Sequence, residues 1–337
     1  MKEYYVGLDL GMKWTYATMI DEEKHVIREA KIPCSEVAVE RFFMGLPKDC
    51  LNVAMEACGI WYGLYDFLTT RCKMVKVANP MQTRLDMSGR KTDKWDSRRL
   101  AEKLRADEIY ESYVPPKEAR AYRNKVRHRQ AMVEISTELK NMIHAVLRRE
   151  NIKHPLEFQD IFTKKGIVWL KTLGISEIDS CLELINAANA QVGKATENIP
   201  GRYDREIQLL KTMPVIGDTT AAVIMAEIVD IHRFENPKAL CKLAGLVPSV
   251  IQSGESDRRG RLVKQSSAVL RTAMIQSAHG VILTKYDNKL KTFFLRLARR
   301  KKYNTAVAAL AHKMLYIIWF MLTNNEGFRD GGTPVGD

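Results

Sequence analysis

Four carboxylates in the sequence have the type and setting to gather divalent cations: Asp9, Glu56, Asp93 and Asp96. Asp9 lies in the apolar run YYVGLDL, where a charge is costly unless something compensates it. Glu56 ends a similar run, LNVAME, with Ala57, Cys58 and Gly59 marking the exit of the chain. Asp93 and Asp96 are three apart in KTDKWDSRRLA, so on a helix they project from one face about a turn apart. Hard cations such as Mg²⁺ or Mn²⁺ take carboxylate oxygens. A pair of such ions activates a hydroxyl and neutralises the charge of a phosphoryl-transfer transition state. Each acid alone has a plainer reading: Asp93 and Asp96 as helix-start acids favoured by the dipole, Glu56 as a strand-end residue bonded to backbone. The ordered combination outweighs that account and points to metal-assisted phosphoryl transfer.

The elements that must position these acids can be read from hydrophobic periodicity. Tyr4 to Leu10, Trp14 to Ile20 and His25 to Lys31 are β-rich runs with Asp21, Glu22 and Glu23 between the last two, which predicts an antiparallel meander. A helix from Ser35 to Met44, a buried strand from Leu51 to Met55, a helix from Ile60 to Thr70 and a strand from Met74 to Ala78 follow. This alternation gives an α/β domain with a mixed sheet and helices on its faces. Thr92 to Arg105 reads as a helix with Thr92 as N-cap and Leu100 and Leu104 on its apolar face. Strand Asp, strand-end Glu and helical Asp-x-x-Asp is the ligand order of an RNase H-like nuclease. Around the helical pair, Lys91, Lys94, Arg98 and Arg99 supply positive charge toward a nucleic-acid backbone.

Pro115-Pro116 breaks the chain and marks a domain boundary. From Lys117 to Glu150 no Gly or Pro interrupts a helical pattern that holds nine Lys or Arg against four Glu. Such a helix either pairs with another and tracks phosphates, with Arg123 and Arg127 among its contacts, or packs on its own domain with a solvated face. A second helical region from Ser176 to about Met213 is placed to return antiparallel to it. From Leu209 the chain reads as mostly helical, with KTMPVIGDTTAAVIMAEI as helix, tight turn and helix, a turn whose N–H groups can hold a phosphate.

The chain of 337 residues carries a net charge of +13, with 46% hydrophobic and 28% charged residues. That balance fits a folded protein of more than one domain whose leading partner is a polyanion, nucleic acid. Six scattered cysteines with no C-x-x-C pair indicate neither a zinc site nor a disulfide framework. The first residues do not form a signal peptide, and the apolar run Met314 to Leu322 is short of the ~20 residues that span a bilayer. The expected setting is therefore the cytoplasm, with association with the nucleoid during action on DNA and no membrane partner.

With these pieces in place, the sequence resembles the IS110-type transposases, the DEDD transposases of bacterial insertion sequences. YVGLDLG with Asp9, AMEACGIWYGLYDFL with Glu56, VKVANPMQTR, and KTDKWDSRRLA with Asp93 and Asp96 carry the resemblance, as do LLKTMPVIGDTTAAVIMAEI, RFENPKALCKLAGLVP and QSG followed by a basic stretch and Leu270-Arg271. The family pattern usually has a glycine where this chain has Val215, and a Gly-Asn pair near Ser266-Ser267. The resemblance implies a RuvC-like DEDD catalytic domain over 1–114, a helical coiled-coil connector over 115–208, a mainly α C-terminal transposase domain over 209–328, and a disordered tail over 329–337. It further implies Asp9, Glu56, Asp93 and Asp96 as catalytic metal ligands for Mg²⁺ or Mn²⁺, and Ser253 in Gln252-Ser253-Gly254 as a nucleophile that holds the cut strand covalently. Ser253 also reads as an ordinary loop serine beside a glycine, with Ser249, Ser256, Ser266 and Ser267 nearby. Arg258, Arg259, Arg261, Lys264 and Arg271 follow it as candidate nucleic-acid contacts. The implied partners are donor and target DNA, a structured guide RNA of the bridge type, and further copies of the chain, as a homodimer or homotetramer in a synaptic complex.

Three other readings stay open. A hydrolytic Holliday-junction-type nuclease would use water in place of serine and leave no protein on the cut ends. A non-catalytic nucleic-acid-binding scaffold would hold the same acids for structural reasons. GLDLG also resembles the first phosphate loop of sugar kinase-like ATPases, but the later Gly-rich loops that such an enzyme needs do not occur between Leu51 and Pro237.

Overall fold

The structure is a computed structural model that describes residues 2–80, 92–253, 256–263 and 266–330, with the backbone alone at 249–253, 256–259 and 261. The chain divides into two compact units, Met1–Val114 and Pro115–Asp337.

The first unit is built on a five-stranded sheet in the order β3-β2-β1-β4-β5. β1 (Tyr4–Leu10), β2 (Trp14–Ile20) and β3 (Val26–Pro33) form an antiparallel meander. β4 (Leu51–Glu56) and β5 (Met74–Ala78) continue the sheet in parallel with β1. Side chains alternate across a strand, and the two faces have different covers. Val6, Leu8, Val53 and Met55 face α1 (Glu36–Phe42) and α2 (Trp61–Arg71), meeting Phe42, Leu64 and Leu68. Ala54 and Ala78, with Tyr5 and Met74, pack instead with Leu100 and Leu104 of α3 (Asp93–Arg105). The helix begins as the sequence predicts, with the Thr92 hydroxyl accepting from the Trp95 N–H at 3.3 Å.

α3 comes unusually close to the sheet at Gly7. A β-carbon there would lie 1.8 Å from the Ser97 carbonyl oxygen, 2.7 Å from the Ala101 nitrogen and 2.9 Å from the Leu100 β-carbon. Glycine is the residue that permits such an approach. Two polar contacts fix the register: a buried 2.7 Å hydrogen bond between the Thr18 and Ser97 hydroxyls, and an ion pair from Lys94 to Glu29.

The second unit opens with α4 (Lys117–Arg149), which pairs antiparallel with α6 (Ser176–Glu197). Arg149 reaches Glu177, Ser136 bonds Asn189 at 3.0 Å, and Arg129 bonds Thr196 at 2.8 Å, so the pairs step in opposite directions along the two helices. Leu139, Ile143, Val146 and Leu147 meet Ile178, Cys181, Leu182 and Ile185, and α5 (Lys164–Thr172) adds Leu170. The long helical region expected from Ser176 to Met213 is interrupted: α6 ends at Glu197, Pro200 and Gly201 follow, and α7 (Asp204–Lys211) begins separately.

A second core gathers α7, α8 (Asp218–Ile228), α9 (Pro237–Leu243), α10 (Ala268–Leu283), α11 (Lys289–Ala298) and α12 (Tyr303–Asn324). The turn into α8 places Val215 at φ 64°, a left-handed conformation that strains a β-branched residue. The apolar run Met314 to Leu322 belongs to α12, whose 22 residues are long and apolar enough to cross a membrane, but half of that window is buried within the protein. Within this mostly helical region, β6 (Pro248–Ser253) and β7 (Ser256–Leu262) form an antiparallel hairpin that the sequence reading did not single out. SDRRGRL lacks the apolar alternation that marks a half-buried strand.

Gly7→Ala is expected to destabilise the first unit by about 3 kcal/mol, because the added methyl meets helix backbone rather than a movable side chain. Urea unfolding followed by circular dichroism measures this; an unchanged midpoint would show that α3 does not close on β1 at this point.

Candidate functional site

Asp9 and Glu56 are brought together by strand register. The parallel ladder of β1 and β4 runs to Leu8↔Met55, so Asp9 and Glu56 are the next residues of adjacent strands. Both are half-buried. Each is two residues beyond a position on the α3 side, Gly7 and Ala54, so alternation turns both carboxylates to the face that α3 covers.

The direction of α3 brings the other two acids to the same end. Its C-terminal half packs near Tyr5 and Met74 at the strand starts, and Arg105 donates to the Glu22 carbonyl at 3.1 Å, in the turn after β2. The helix therefore runs antiparallel to β1, crosses Gly7 at Ser97–Ala101, and lays its first turn toward the Asp9 end. Asp96, one residue before Ser97, is half-buried, whereas Asp93 is exposed.

The four carboxylates share one end of the sheet without closing into a tight cluster. Among the described residues, the group whose ligand atoms all lie within 4.8 Å of one another is Asp21, Glu23 and His25, not the expected set. That group belongs to the β2–β3 turn. Asp21 Oδ1 accepts from the Glu23 and His25 N–H groups at 3.1 and 2.8 Å, and Oδ2 pairs with Lys2 at 3.3 Å. An aspartate so occupied closes a turn.

In the second unit Ser253 ends β6 opposite Ser256, at the tip of the hairpin. Arg258 and Arg259 lie on β7, paired with Ile251 and Val250, and Arg261 lies further along the same strand. Lys91 and Lys264 lie outside the described residues.

Two comparisons bear on identity. A family model described as "Transposase IS116/IS110/IS902 family" matches residues 207–295, and a DEDD transposase model of the IS110 type matches 6–152. The chain belongs to the IS110 family of transposases. Curated relatives agree along nearly its whole length. A protein of Pseudomonas aeruginosa described as a probable family 20 transposase is 26% identical over 97% of this chain and 98% of its own. The transposase for insertion sequence element IS1111A of Coxiella burnetii is 26% identical over 83% of this chain and 79% of its own. The transposase for IS1328 of Yersinia enterocolitica is 23% identical over 96% and 98%.

Several arginines and lysines expected at nucleic acid are engaged within the transposase itself. Arg123 donates to the Ala226 carbonyl at 2.8 Å, and Arg127 makes paired bonds of 2.8 and 2.9 Å to Glu227. Arg271 donates to the Ala244 carbonyl at 3.2 Å and to the Ser266 hydroxyl. Lys94 pairs with Glu29, and Arg98 with Glu102 at 3.4 Å.

The centre of this internal network is a residue that the sequence reading passed over. Glu227 is 3% exposed within α8, whose neighbours are otherwise apolar. Besides Arg127, the Ser267 hydroxyl donates to it at 2.9 Å while accepting from the Leu270 N–H as the N-cap of α10. Arg233 donates to the Ile228 carbonyl at 2.9 Å, so cations also satisfy the end of α8. Burial is the largest influence on the Glu227 carboxyl and pushes its pKa upward. The Arg127 bonds and charge, the Arg123 charge and the Ser267 hydroxyl together outweigh it, leaving the pKa below the ordinary value of 4.5. The signal was available: a glutamate inside AAVIMAEIV requires a partner.

Arg127→Met leaves Glu227 buried beside fewer cations and is expected to cost about 3 kcal/mol, more than Glu227→Gln, which removes the charge as well. Because the folded pKa is depressed, the contribution is present above about pH 4.5 and is lost as pH falls through the folded value. Glu227→Gln should therefore flatten the acid side of a stability-against-pH curve measured by urea unfolding.

Proposed function

We propose that this transposase cuts, exchanges and rejoins the DNA strands of its insertion sequence on an RNase H-like, RuvC-like domain. Asp9, Glu56, Asp93 and Asp96 hold the metal, and Ser253 serves as nucleophile. The observation that carries the metal assignment is the pairing of Asp9 and Glu56 on adjacent parallel strands, on the face toward which the first turn of α3 is laid. The strand order β3-β2-β1-β4-β5, three strands antiparallel and the rest parallel, supports the RNase H-like reading. The α4–α6 pair supports a coiled-coil connector over 115–208, followed by a transposase domain over 209–328.

The donor set is all carboxylate oxygen, which suits Mg²⁺ or Mn²⁺ rather than a softer metal. Bound there, divalent cations would supply charge neutralisation at the reacting phosphate and lower the pKa of an attacking hydroxyl. The half-buried Asp9 and Glu56 hold their oxygens in place through the sheet, whereas Asp93 and Asp96 depend on the seating of α3.

The serine step balances without a co-reactant. The Ser253 oxygen bonds to phosphorus, the bond from phosphorus to one sugar oxygen breaks, and that oxygen leaves with a proton. The phosphodiester is conserved as a serine ester, from which a new strand end can be rejoined. The basic β7 strand after Ser253 supports placing DNA at the hairpin. The reading includes a structured guide RNA pairing with donor and target DNA, and a dimer or tetramer as the acting assembly.

Mg²⁺ or Mn²⁺ at a hundred times its dissociation constant is expected to stabilise the fold by about 2.7 kcal/mol. Asp9→Asn and Glu56→Gln should abolish that thermal shift and lower DNA cutting by about 10²–10³ or more. A protein that shows no shift with either ion is a scaffold rather than a metal enzyme.

Ser253→Ala should abolish the covalent protein–DNA adduct while leaving thermal unfolding unchanged. Recovering the expressed protein with its flanking non-coding DNA, and sequencing attached DNA and co-purified RNA, checks both adduct and guide. An undiminished adduct refutes the serine assignment, and cut ends bearing no protein indicate a hydrolytic nuclease.

A further inference from the structure

The run from Lys289 to Lys302, KLKTFFLRLARRKK, holds seven lysines and arginines and no acid. It forms α11 and the turn into α12. Half-buried Phe293 lies between two hollows on this surface. One, of about 200 Å³, is lined by Lys289, Arg296, Lys313 and Arg329, with Asp330 the one acid in its lining. The other, of about 770 Å³, is an apolar groove lined by Ala308, Ala309, His312 and Tyr316, and bounded by Pro248 and Leu262 at the foot of the β6–β7 hairpin. Phe293 and Lys313 line both.

The chemistry of the two hollows is complementary. Lys313 and Arg296 lie 4.7 and 5.7 Å from the Phe293 ring centre, within reach of a cation–π contact that holds both charges at the rim. In the groove, Tyr316 stacks on His312 with ring centres 6.4 Å apart and 29° between planes. Cations tracking phosphates beside an aromatic groove are what an unpaired nucleic-acid strand requires, because its bases are free to stack on side chains. A duplex keeps its bases paired and would use the cations alone.

We propose that this face binds an unpaired DNA strand, with phosphates on Lys289, Arg296 and Lys313 and a base in the groove against Tyr316. The choice of DNA rests on the strand-exchange reading above, since that reaction frees DNA strands. β6 links the two places: from Ser253 at the hairpin tip to Pro248 at its foot is about 17 Å of strand, a span of a few nucleotides.

The test uses the full chain and fluorescein-labelled oligothymidylate, with binding followed by anisotropy at several salt concentrations in EDTA. Tyr316→Leu is expected to weaken single-strand binding about tenfold while leaving duplex binding unchanged. Arg296→Gln with Lys313→Gln should reduce the slope of log affinity against log salt by about 0.7 for each cation that meets a phosphate. Arg296 is exposed, so Arg296→Gln alone keeps the test decisive if the other variants unfold. Unchanged single-strand affinity in the folded variants, or equal losses on duplex, overturns the proposal, and tighter binding of oligouridylate overturns the choice of DNA. Asp9→Asn and Ser253→Ala separate the two readings: they should stop cutting yet bind oligothymidylate as the parent does.

Discussion

The carbonyl oxygen of Ser97 occupies the space where a side chain at position 7 would begin, and the first unit is organised around that contact. With Gly7 in β1, the backbone of α3 rests on the backbone of the strand. The Thr18–Ser97 hydrogen bond and the Lys94–Glu29 ion pair then fix its height and register. Any residue other than glycine would lift the helix and carry Asp96 and Asp93 away from the strand ends. The carboxylates on the sheet are held by a ladder of backbone hydrogen bonds, whereas those on the helix are held by one close approach and two polar contacts. The candidate site thus has one half set by strand register and one half whose position depends on packing.

The second unit resolves a similar problem with charge. A glutamate in the middle of α8 is tolerable because α4 sends Arg127 to it and α10 sends the hydroxyl of its own N-cap. Arg123 and Arg233 complete the arrangement by binding carbonyls at the end of α8. These contacts tie three helices together at one buried point. Polar networks of this kind impose geometry on a core that apolar packing alone leaves permissive.

Much of the first unit was legible because its strands and helices are short and strongly patterned. β1, β2, β4 and β5 fall within a residue of the expected runs, and the Thr92 cap is where the sequence puts it. Asp9 and Glu56 were legible as a pair because strand-end position and register follow from the same apolar pattern. How far Asp93 and Asp96 stand from the strand acids was not, since it depends on how α3 is seated. In the second unit the hairpin went unread because arginines replace the apolar residues of β7, whereas the break after Glu197 had its signal in Pro200-Gly201. For Arg127, a basic helix face and a buried counter-ion draw on the same residue type, and the position of Glu227 inside an apolar helix is what points to the second use.

Val215 and Gly280 show a different dependence. A β-carbon at position 280 would come within 3.2 Å of the Val215 β-carbon, so the bare glycine on α10 and the strained valine in the turn before α8 fit each other. The two positions share a single allowance of volume. A change at one alters which residues the other can accept, so substitution histories at 215 and 280 should be read jointly, as one site with two addresses.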